Sequence, residues 1–174
     1  MTDDFDRALL PEVDLVIECL GGVEPAGSVI VAALAMRKAV ATANKAAVAA
    51  YWPELAPSLR EPNRRLWFSA TVGGAVPMLE VLSRMHGRLR GLRGVISSTC
   101  NSVLDSIARG HSYNSAVHEA QAAGLTEGDP HRDLCGLDAA DKLSLMARAG
   151  WGVHVAPDKI TTRGVNGGIK SDEH

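Results

Sequence analysis

Residues 125–142, LTEGDPHRDLCGLDAADK, combine a turn with the entrance of a helix. Gly124, just before this segment, allows backbone angles that other residues avoid. Asp129 followed by Pro130 is typical of a helix start, with the aspartate as N-cap and the proline at the first helical position. The pattern therefore predicts a turn followed by a helix that runs towards Gly150.

Charged side chains on this predicted helix suggest a functional site. Asp138 and Lys142 are four residues apart and share one helix face. Such a pair is ordinarily a solvated surface pair that contributes roughly 0.3–0.5 kcal/mol. Charges on a largely buried helix, by contrast, need partners or a chemical role. An acid beside a lysine could hold a substrate ammonium and move a proton. The apolar positions of the helix are Leu134, Leu137, Ala140, Leu143, Leu145 and Met146.

The composition excludes several classes of function. The chain has 174 residues, 46% of them hydrophobic, which is enough for one or two small domains. A net charge of -2 without a basic run argues against nucleic acid as a partner. The longest apolar run, residues 29–36, is too short to span a bilayer, so we expect no membrane partner. Cys19, Cys100 and Cys135 form no C-x-x-C motif, which predicts reduced thiols and a cytoplasmic location.

The first part of the chain alternates strand and helix patterns. Short β-rich runs end in glycine or polar residues, and apolar residues at helical spacing lie between them. This alternation predicts an α/β fold with a parallel sheet. The predicted strands are residues 13–20, 38–43 and 65–72, and the predicted helices are 25–37 and 45–59, the second interrupted near Pro53.

The second part of the chain begins near Gly73, where the composition of the connections changes. We place a domain boundary there, giving domains at residues 1–72 and 73–165 and a disordered polar tail at 166–174. The predicted helices are residues 77–85, 101–108, 115–123 and the helix entered at Pro130, and the predicted strands are 91–97 and 159–165.

The polar positions from Glu127 to Lys142 form a motif, E-x-D-P-x-x-D-x-x-G-x-D-A-A-x-K, that resembles the signature of the homoserine dehydrogenase family. Four further blocks agree in the family's order, the last of them more loosely. The resemblance covers roughly residues 13–165. It implies a partial Rossmann-like parallel sheet followed by an α+β domain for substrate binding and dimerisation. The further blocks are residues 13–18 with Gly21 and Gly22, 41–46, 70–77 and 94–101.

The resemblance implies the reversible NAD(P)H-dependent reduction of aspartate 4-semialdehyde to homoserine, in threonine, methionine and isoleucine biosynthesis. Lys142 is then the candidate proton donor, or the residue that orients a water. Lys45, at a strand end, would polarise the carbonyl or touch the nicotinamide, although it could also be an ordinary first-turn surface lysine. Glu127 and Asp138 would hold the substrate ammonium, with Asp133 in support.

Further positions acquire roles from the same resemblance. Ser98 and Thr99 stand where the family contacts substrate, although either could instead be a helix N-cap. Leu125 stands where the family commonly has a tyrosine, which removes a hydroxyl from the pocket. The residues that would line the binding site for the nicotinamide end of NADP or NAD are Gly21, Gly22, Thr42, Ala43, Asn44 and Lys45.

A monovalent cation is also implied by the family. Its ligands there are main-chain oxygens and one acid, and the matching main-chain positions are Val72, Gly74 and Val76. The acid is replaced here by Ser69, so a bound sodium ion would lack its charged ligand.

No G-x-G-x-x-G motif occurs in the chain, so we expect the phosphate-binding half of the nucleotide domain to be absent. The strand at residues 13–20 would then be an unpaired hydrophobic edge. A separate chain could supply the missing half, the chain could self-associate as a homodimer or larger assembly, or it could fold poorly. The alternative function is a non-catalytic remnant that acts as an oligomerisation or interaction module.

Overall fold

The computed structural model of the chain describes residues 5–60, 65–126 and 130–165. Within these residues the three strands are β1 (Leu15–Glu18), β2 (Ala39–Thr42) and β3 (Leu66–Trp67). The first three helices are α1 (Ala26–Ala35), α2 (Lys45–Ala50) and α3 (Trp52–Arg60). The later helices are α4 (Met78–Arg84), α5 (Ser98–Ala108), α6 (Tyr113–Ala122), α7 (His131–Leu134) and α8 (Leu137–Trp151). Short 3-10 turns lie at Phe5–Leu9, Ser69–Thr71 and Pro157–Lys159.

The three strands form a parallel sheet in the order β1-β2-β3. The register places Val16, Val40 and Leu66 side by side on one face, and all three are buried. They belong to the main hydrophobic core, together with Ile30 of α1 and Val48 of α2. The α/β fold class predicted from the alternation of strands and helices is confirmed.

The opposite face of the sheet is apolar but open. The next position along each strand brings Ile17, Ala41 and Trp67 into one row. Ile17 is 70% exposed and Trp67 is 48% exposed, so the described part of the chain leaves this face largely uncovered. Parallel sheets are ordinarily covered on both faces. We call this row of three residues the open sheet face.

Helix α8 connects the two parts of the chain. Leu145 and Met146 of α8 are buried in the same core as the sheet residues, and α8 packs against both α2 and α4. Helices α5 and α6 form a second, smaller core around Val103 and Ala116, which Leu134 of α7 joins. None of the described helices is both long and apolar enough to cross a membrane.

Two strands predicted in the second part of the chain are wrong. Residues 91–97 run without regular structure, and residues 159–165 continue irregularly from a 3-10 turn. A β-rich run forms a strand only beside a partner strand, and the described residues place none next to either segment. Val95 is 74% exposed, and the Ile96 carbonyl accepts a hydrogen bond from Lys142 instead of from a strand.

The predicted third strand is shorter than expected. Only Leu66 and Trp67 pair with β2, and the chain then turns into the 3-10 segment Ser69–Thr71. The Phe68 carbonyl accepts hydrogen bonds from the Thr71 hydroxyl at 2.6 Å and from the Thr71 N–H at 3.0 Å, so it is satisfied within this turn.

The predicted helix after Pro130 is not continuous. It breaks into α7 and α8 at Gly136, whose φ of +89° lies in the left-handed region that favours glycine. The break predicted near Pro53 is confirmed, because α2 ends at Ala50 and α3 begins at Trp52. The predicted N-cap Asp129 and the predicted tail at 166–174 lie outside the described residues.

Candidate active site

A cleft of about 610 Å³ lies at the carboxyl ends of β1 and β2 and faces the start of α8. Open α/β sheets bind their ligands at this end of the strands. Ten residues predicted for the site line this cleft together. They are Gly21, Gly22, Ala43, Asn44, Lys45, Ser98, Thr99, Asp133, Asp138 and Lys142.

Asp138 is the charged centre of the cleft. It is 6% exposed, and its two carboxylate oxygens lie 2.7 Å from Nζ of Lys45 and 2.7 Å from Nζ of Lys142. Burial alone would raise the pKa of Asp138, but hydrogen bonds from Lys142 and Lys45 outweigh burial and hold that pKa below its ordinary value. The predicted Asp138–Lys142 pair therefore lies in the cleft and is not a solvated surface pair.

Lys142 is held in a defined position. Its Nζ donates to Asp138 and also, at 2.8 Å, to the main-chain carbonyl of Ile96. A lysine ammonium has three donors, and these two described acceptors use two of them. The described residues offer no acceptor for the third N–H, which is therefore available to a ligand in the cleft, as a proton donor requires.

A second ion pair in the cleft was not predicted from the sequence. Asp141 Oδ2 lies 2.9 Å from Nη2 of Arg132, and both residues line the cleft. Burial raises the pKa of Asp141, although the Arg132 charge opposes this and the nearby Asp138 charge adds to it. The position of Asp141, three residues after Asp138 on the same helix, was a signal that could have revealed it.

A buried carboxylate beneath the cleft was also missed. Glu18 is 3% exposed, and it accepts hydrogen bonds from the Thr42 hydroxyl and from the Leu20 N–H at 2.6 Å. The Asn44 side chain donates to the carbonyls of Leu20 at 3.0 Å and Gly22 at 2.8 Å. These bonds hold residues 20–22, which we call the glycine turn. Thr42 was predicted to line the site, but it does not line the cleft and instead supports this turn through Glu18. An acid at the end of a buried strand was the available signal for Glu18.

Thr99 lines the cleft and connects α5 to residues of two other segments. Its hydroxyl lies 2.7 Å from the Leu125 carbonyl and 3.1 Å from Oδ2 of Asp133. The N-cap of α5 is Ser97, whose side chain accepts from the Cys100 N–H at 3.1 Å. The alternative that Ser98 or Thr99 is the N-cap is therefore wrong.

Other predicted residues lie away from the cleft or outside the described residues. Glu127, predicted to bind the substrate ammonium, lies outside the described residues. Val72, Gly74 and Val76 do not line the cleft, and Val72 is buried while Val76 is exposed. The described residues contain no group of acidic, histidine or cysteine side chains that could hold a metal ion. The main-chain cation site stays a prediction.

Two family models match the chain. Residues 77–173 match the model described as "Homoserine dehydrogenase", and residues 1–69 match "Homoserine dehydrogenase, NAD binding domain". The chain belongs to the homoserine dehydrogenase family. The resemblance carried by the sequence blocks is thereby confirmed, and the family is one of oxidoreductase enzymes in amino-acid biosynthesis.

Individual relatives agree with the family models. The homoserine dehydrogenase of Synechocystis is 34% identical over 169 residues, which are 95% of this chain and 39% of that protein. The crystal structure of a homoserine dehydrogenase from Thiobacillus denitrificans has a TM-score of 0.77 at 32% identity, with 94% of this chain and 38% of that chain covered. A hyperthermophilic archaeal homoserine dehydrogenase in complex with NADPH shares the fold, with a TM-score of 0.72 at 24% identity over 86% of this chain and 47% of that chain. The chain thus spans less than half the length of these relatives.

Proposed function

We propose that this chain forms the substrate side of a homoserine dehydrogenase active site, for reversible NAD(P)-dependent reduction of aspartate 4-semialdehyde to homoserine. The observation that carries the proposal is the convergence of Lys45 and Lys142 on the buried Asp138 inside the cleft. A buried acid held by two lysines in a cleft is the arrangement expected where charge and protons are handled.

Lys142 is the proposed proton donor to the aldehyde oxygen. The Asp138 carboxylate and the Ile96 carbonyl fix its Nζ at 2.7 and 2.8 Å, which leaves one N–H for substrate. Lys45, whose side chain is 32% exposed, reaches Asp138 from the opposite side and adds a second positive charge where an oxyanion would develop.

Asp133 and Glu127 are the proposed holders of the substrate ammonium. Asp133 lies beside Thr99 on the wall of the cleft, and Glu127 completes the set by the family motif. Ser98 and Thr99, which also line the cleft, are proposed to contact the substrate as well. Asp138 keeps its charge at neutral pH and can also face an ammonium.

The nicotinamide end of the cofactor fits the residues present. A Cβ atom placed on Gly21 would meet nothing within 4 Å, so the glycine turn leaves room for a ring. Gly21, Gly22, Ala43, Asn44 and Lys45 would line it, and bound NADP or NAD would supply the hydride. The given sequence contains no G-x-G-x-x-G turn for the pyrophosphate, so the proposal for these residues covers the nicotinamide end alone.

Assembly with a further chain is part of the proposal. The open sheet face and the β1 edge, which no described strand covers, would receive either the other half of the nucleotide domain or a second copy in a homodimer or larger assembly.

The three free cysteines fit a reducing cytoplasm. A monovalent cation at the main-chain oxygens of Val72, Gly74 and Val76 would have to bind without the acid that Ser69 replaces.

Homoserine oxidation in a mixed system tests the proposal. The chain is combined with the glycine-rich part of the Synechocystis relative, and reduced nicotinamide is followed by absorbance with NAD or NADP. We expect turnover from the mixture and none from either piece alone. A mixture that forms a complex by sedimentation and binds NADPH, yet shows no turnover, would contradict the enzymatic role.

A second candidate function is a non-catalytic interaction module, which the open sheet face favours. In that case the mixture would assemble without activity. Homoserine binding to the isolated chain, followed by calorimetry, separates the two functions further, because only the enzymatic role requires that the cleft recognise homoserine.

A further inference from the structure

A second cavity, of about 410 Å³, lies between helices α3, α4 and α8 and the segment Phe68–Ser69 that follows β3. It shares no lining residue with the active-site cleft. Its walls combine apolar and charged side chains, and the Trp52 and Phe68 rings meet edge to face at 5.8 Å between centroids. Leu79 of α4 and Leu145 of α8 complete the apolar lining. The volume falls in the range of about 300–1,000 Å³ that is typical of small-molecule sites.

Arg148 forms one wall of this cavity in an unusual way. Its guanidinium carbon lies 3.5 Å from the centroid of the Trp52 ring, and Nη2 contacts Nδ1 of His154. Nε is buried, and no described residue accepts a hydrogen bond from it. A buried charged donor without an acceptor is costly, so an accepting group supplied by another molecule would stabilise it.

The charges around the cavity favour an anion. The cavity is lined by two guanidinium groups, those of Arg84 and Arg148, and by one carboxylate, that of Glu80. The Glu80 carboxylate already accepts a hydrogen bond from the Ser69 hydroxyl. Burial lowers the pKa of Arg148 to about 10, so the group stays positively charged at neutral pH. The cavity therefore has a net positive charge beside an aromatic wall.

We propose that this cavity binds a small organic anion with a flat apolar body, such as an aromatic carboxylate. The carboxylate accepts hydrogen bonds from the guanidinium of Arg148, and the ring lies beside Trp52 and Leu145. Guanidinium and carboxylate match in geometry and charge, which makes Arg148 the anchor. The site is distinct from the proposed active site and does not depend on the function proposed for it.

Helix α8 passes along both sites. Lys142 faces the cleft, while Leu145, Arg148 and Ala149 line the second cavity. An anion in the second cavity therefore contacts the same helix that carries the proposed proton donor.

A titration with para-fluorophenylacetate tests the proposal on the full chain. Fluorine NMR follows the probe, and proton–nitrogen NMR follows the indole N–H signals of the protein. We expect saturable binding, together with a shift of the Trp52 indole N–H signal and none of Trp67. Arg148→Gln should weaken binding at least tenfold, and Ala149→Phe, which fills the cavity, should abolish it. The neutral analogue para-fluorobenzyl alcohol should bind at least tenfold more weakly than the acid.

Lys142 of the cleft provides the matched control. The single variant Lys142→Gln, which keeps the Lys45–Asp138 pair, should bind the probe as the unaltered chain does. Binding that is lost in Lys142→Gln and kept in Arg148→Gln would place the anion in the cleft and overturn the proposal. Absence of a Trp52 shift at saturating probe would also overturn it, and this measurement needs no variant to fold.

Discussion

Lys45 and Asp138 form an ion pair of 2.7 Å that joins the first residue of α2 to the first turn of α8. Asp138 is 6% exposed, and Lys142 approaches its other oxygen at the same distance. The pair therefore has two roles. It joins the sheet-bearing part of the chain to the later helices, and it forms the charged centre of the cleft.

Asp138→Asn should destabilise the fold by about 1–3 kcal/mol at pH 7, because two partly buried ammonium groups lose their anion. Urea unfolding measures the difference. Asp105→Asn is the matched control, since Asp105 pairs with Arg109 at the surface with both side chains more than half exposed. Its effect should be about 0–0.5 kcal/mol. Equal effects in the two variants would contradict the central role of Asp138.

The stability difference between the unaltered chain and Asp138→Asn should depend on pH. The lysines hold the pKa of Asp138 in the folded chain below its ordinary value of 3.8, so folding favours the ionised form. The contribution is therefore fully present above that ordinary value and is lost as the pH falls through the lowered pKa. The unfolding curves of the unaltered chain and of Asp138→Asn should differ at neutral pH and converge in acid. A stability difference that persists in acid would contradict this assignment.

The sequence predicted those features that depend on local pattern. Alternating apolar runs predicted the parallel sheet, and the spacing of Asp138 and Lys142 predicted their shared face. The strands expected at residues 91–97 and 159–165 failed because strand formation depends on a distant partner, which a local pattern does not reveal. Arg132 and Glu18 were missed for a similar reason, since each matters through a residue of another element.

Lys142→Ala should lower turnover of the mixed system at least 100-fold, a typical value for the loss of a general acid. The fold should persist, because Leu145 and Met146 anchor α8 independently. Lys159→Ala, at an exposed position, should leave turnover unchanged. Circular dichroism confirms folding, and retained turnover in Lys142→Ala would remove that lysine from the reaction.

Asn44→Ala should loosen the glycine turn of the cleft. The Asn44 amide holds the Leu20 and Gly22 carbonyls, and its oxygen caps α2 through the Ala47 N–H at 3.0 Å. We expect a loss of about 1–2 kcal/mol and faster hydrogen exchange at residues 20–22.

Ser112→Ala is the matched control for Asn44→Ala, because Ser112 is also a side-chain N-cap, of α6, and does not line the cleft. It should cost about 1 kcal/mol of stability while exchange at residues 20–22 stays unchanged. If both variants accelerate exchange there equally, the effect reflects global stability and not the turn.

Ile17→Lys should reduce self-association of the chain. Ile17 lies at the sheet edge on the open sheet face, where a charge opposes pairing. Val95→Lys, which introduces the same charge at an equally exposed apolar position away from the sheet, should leave assembly unchanged. Sedimentation of the three proteins measures this, and an unaltered chain that is purely monomeric would refute the association.

The left-handed turn at Gly136 sets the position of α7 against α8. Leu145 and Met146 hold α8 in the main core, so a single residue inserted between the two helices would leave Asp138 and Lys142 in place. It would instead move α7 and displace its cleft residues Arg132 and Asp133, while leaving every described helix intact. Proteins that share this architecture should therefore keep the number of residues at this junction constant, even where the surrounding side chains differ.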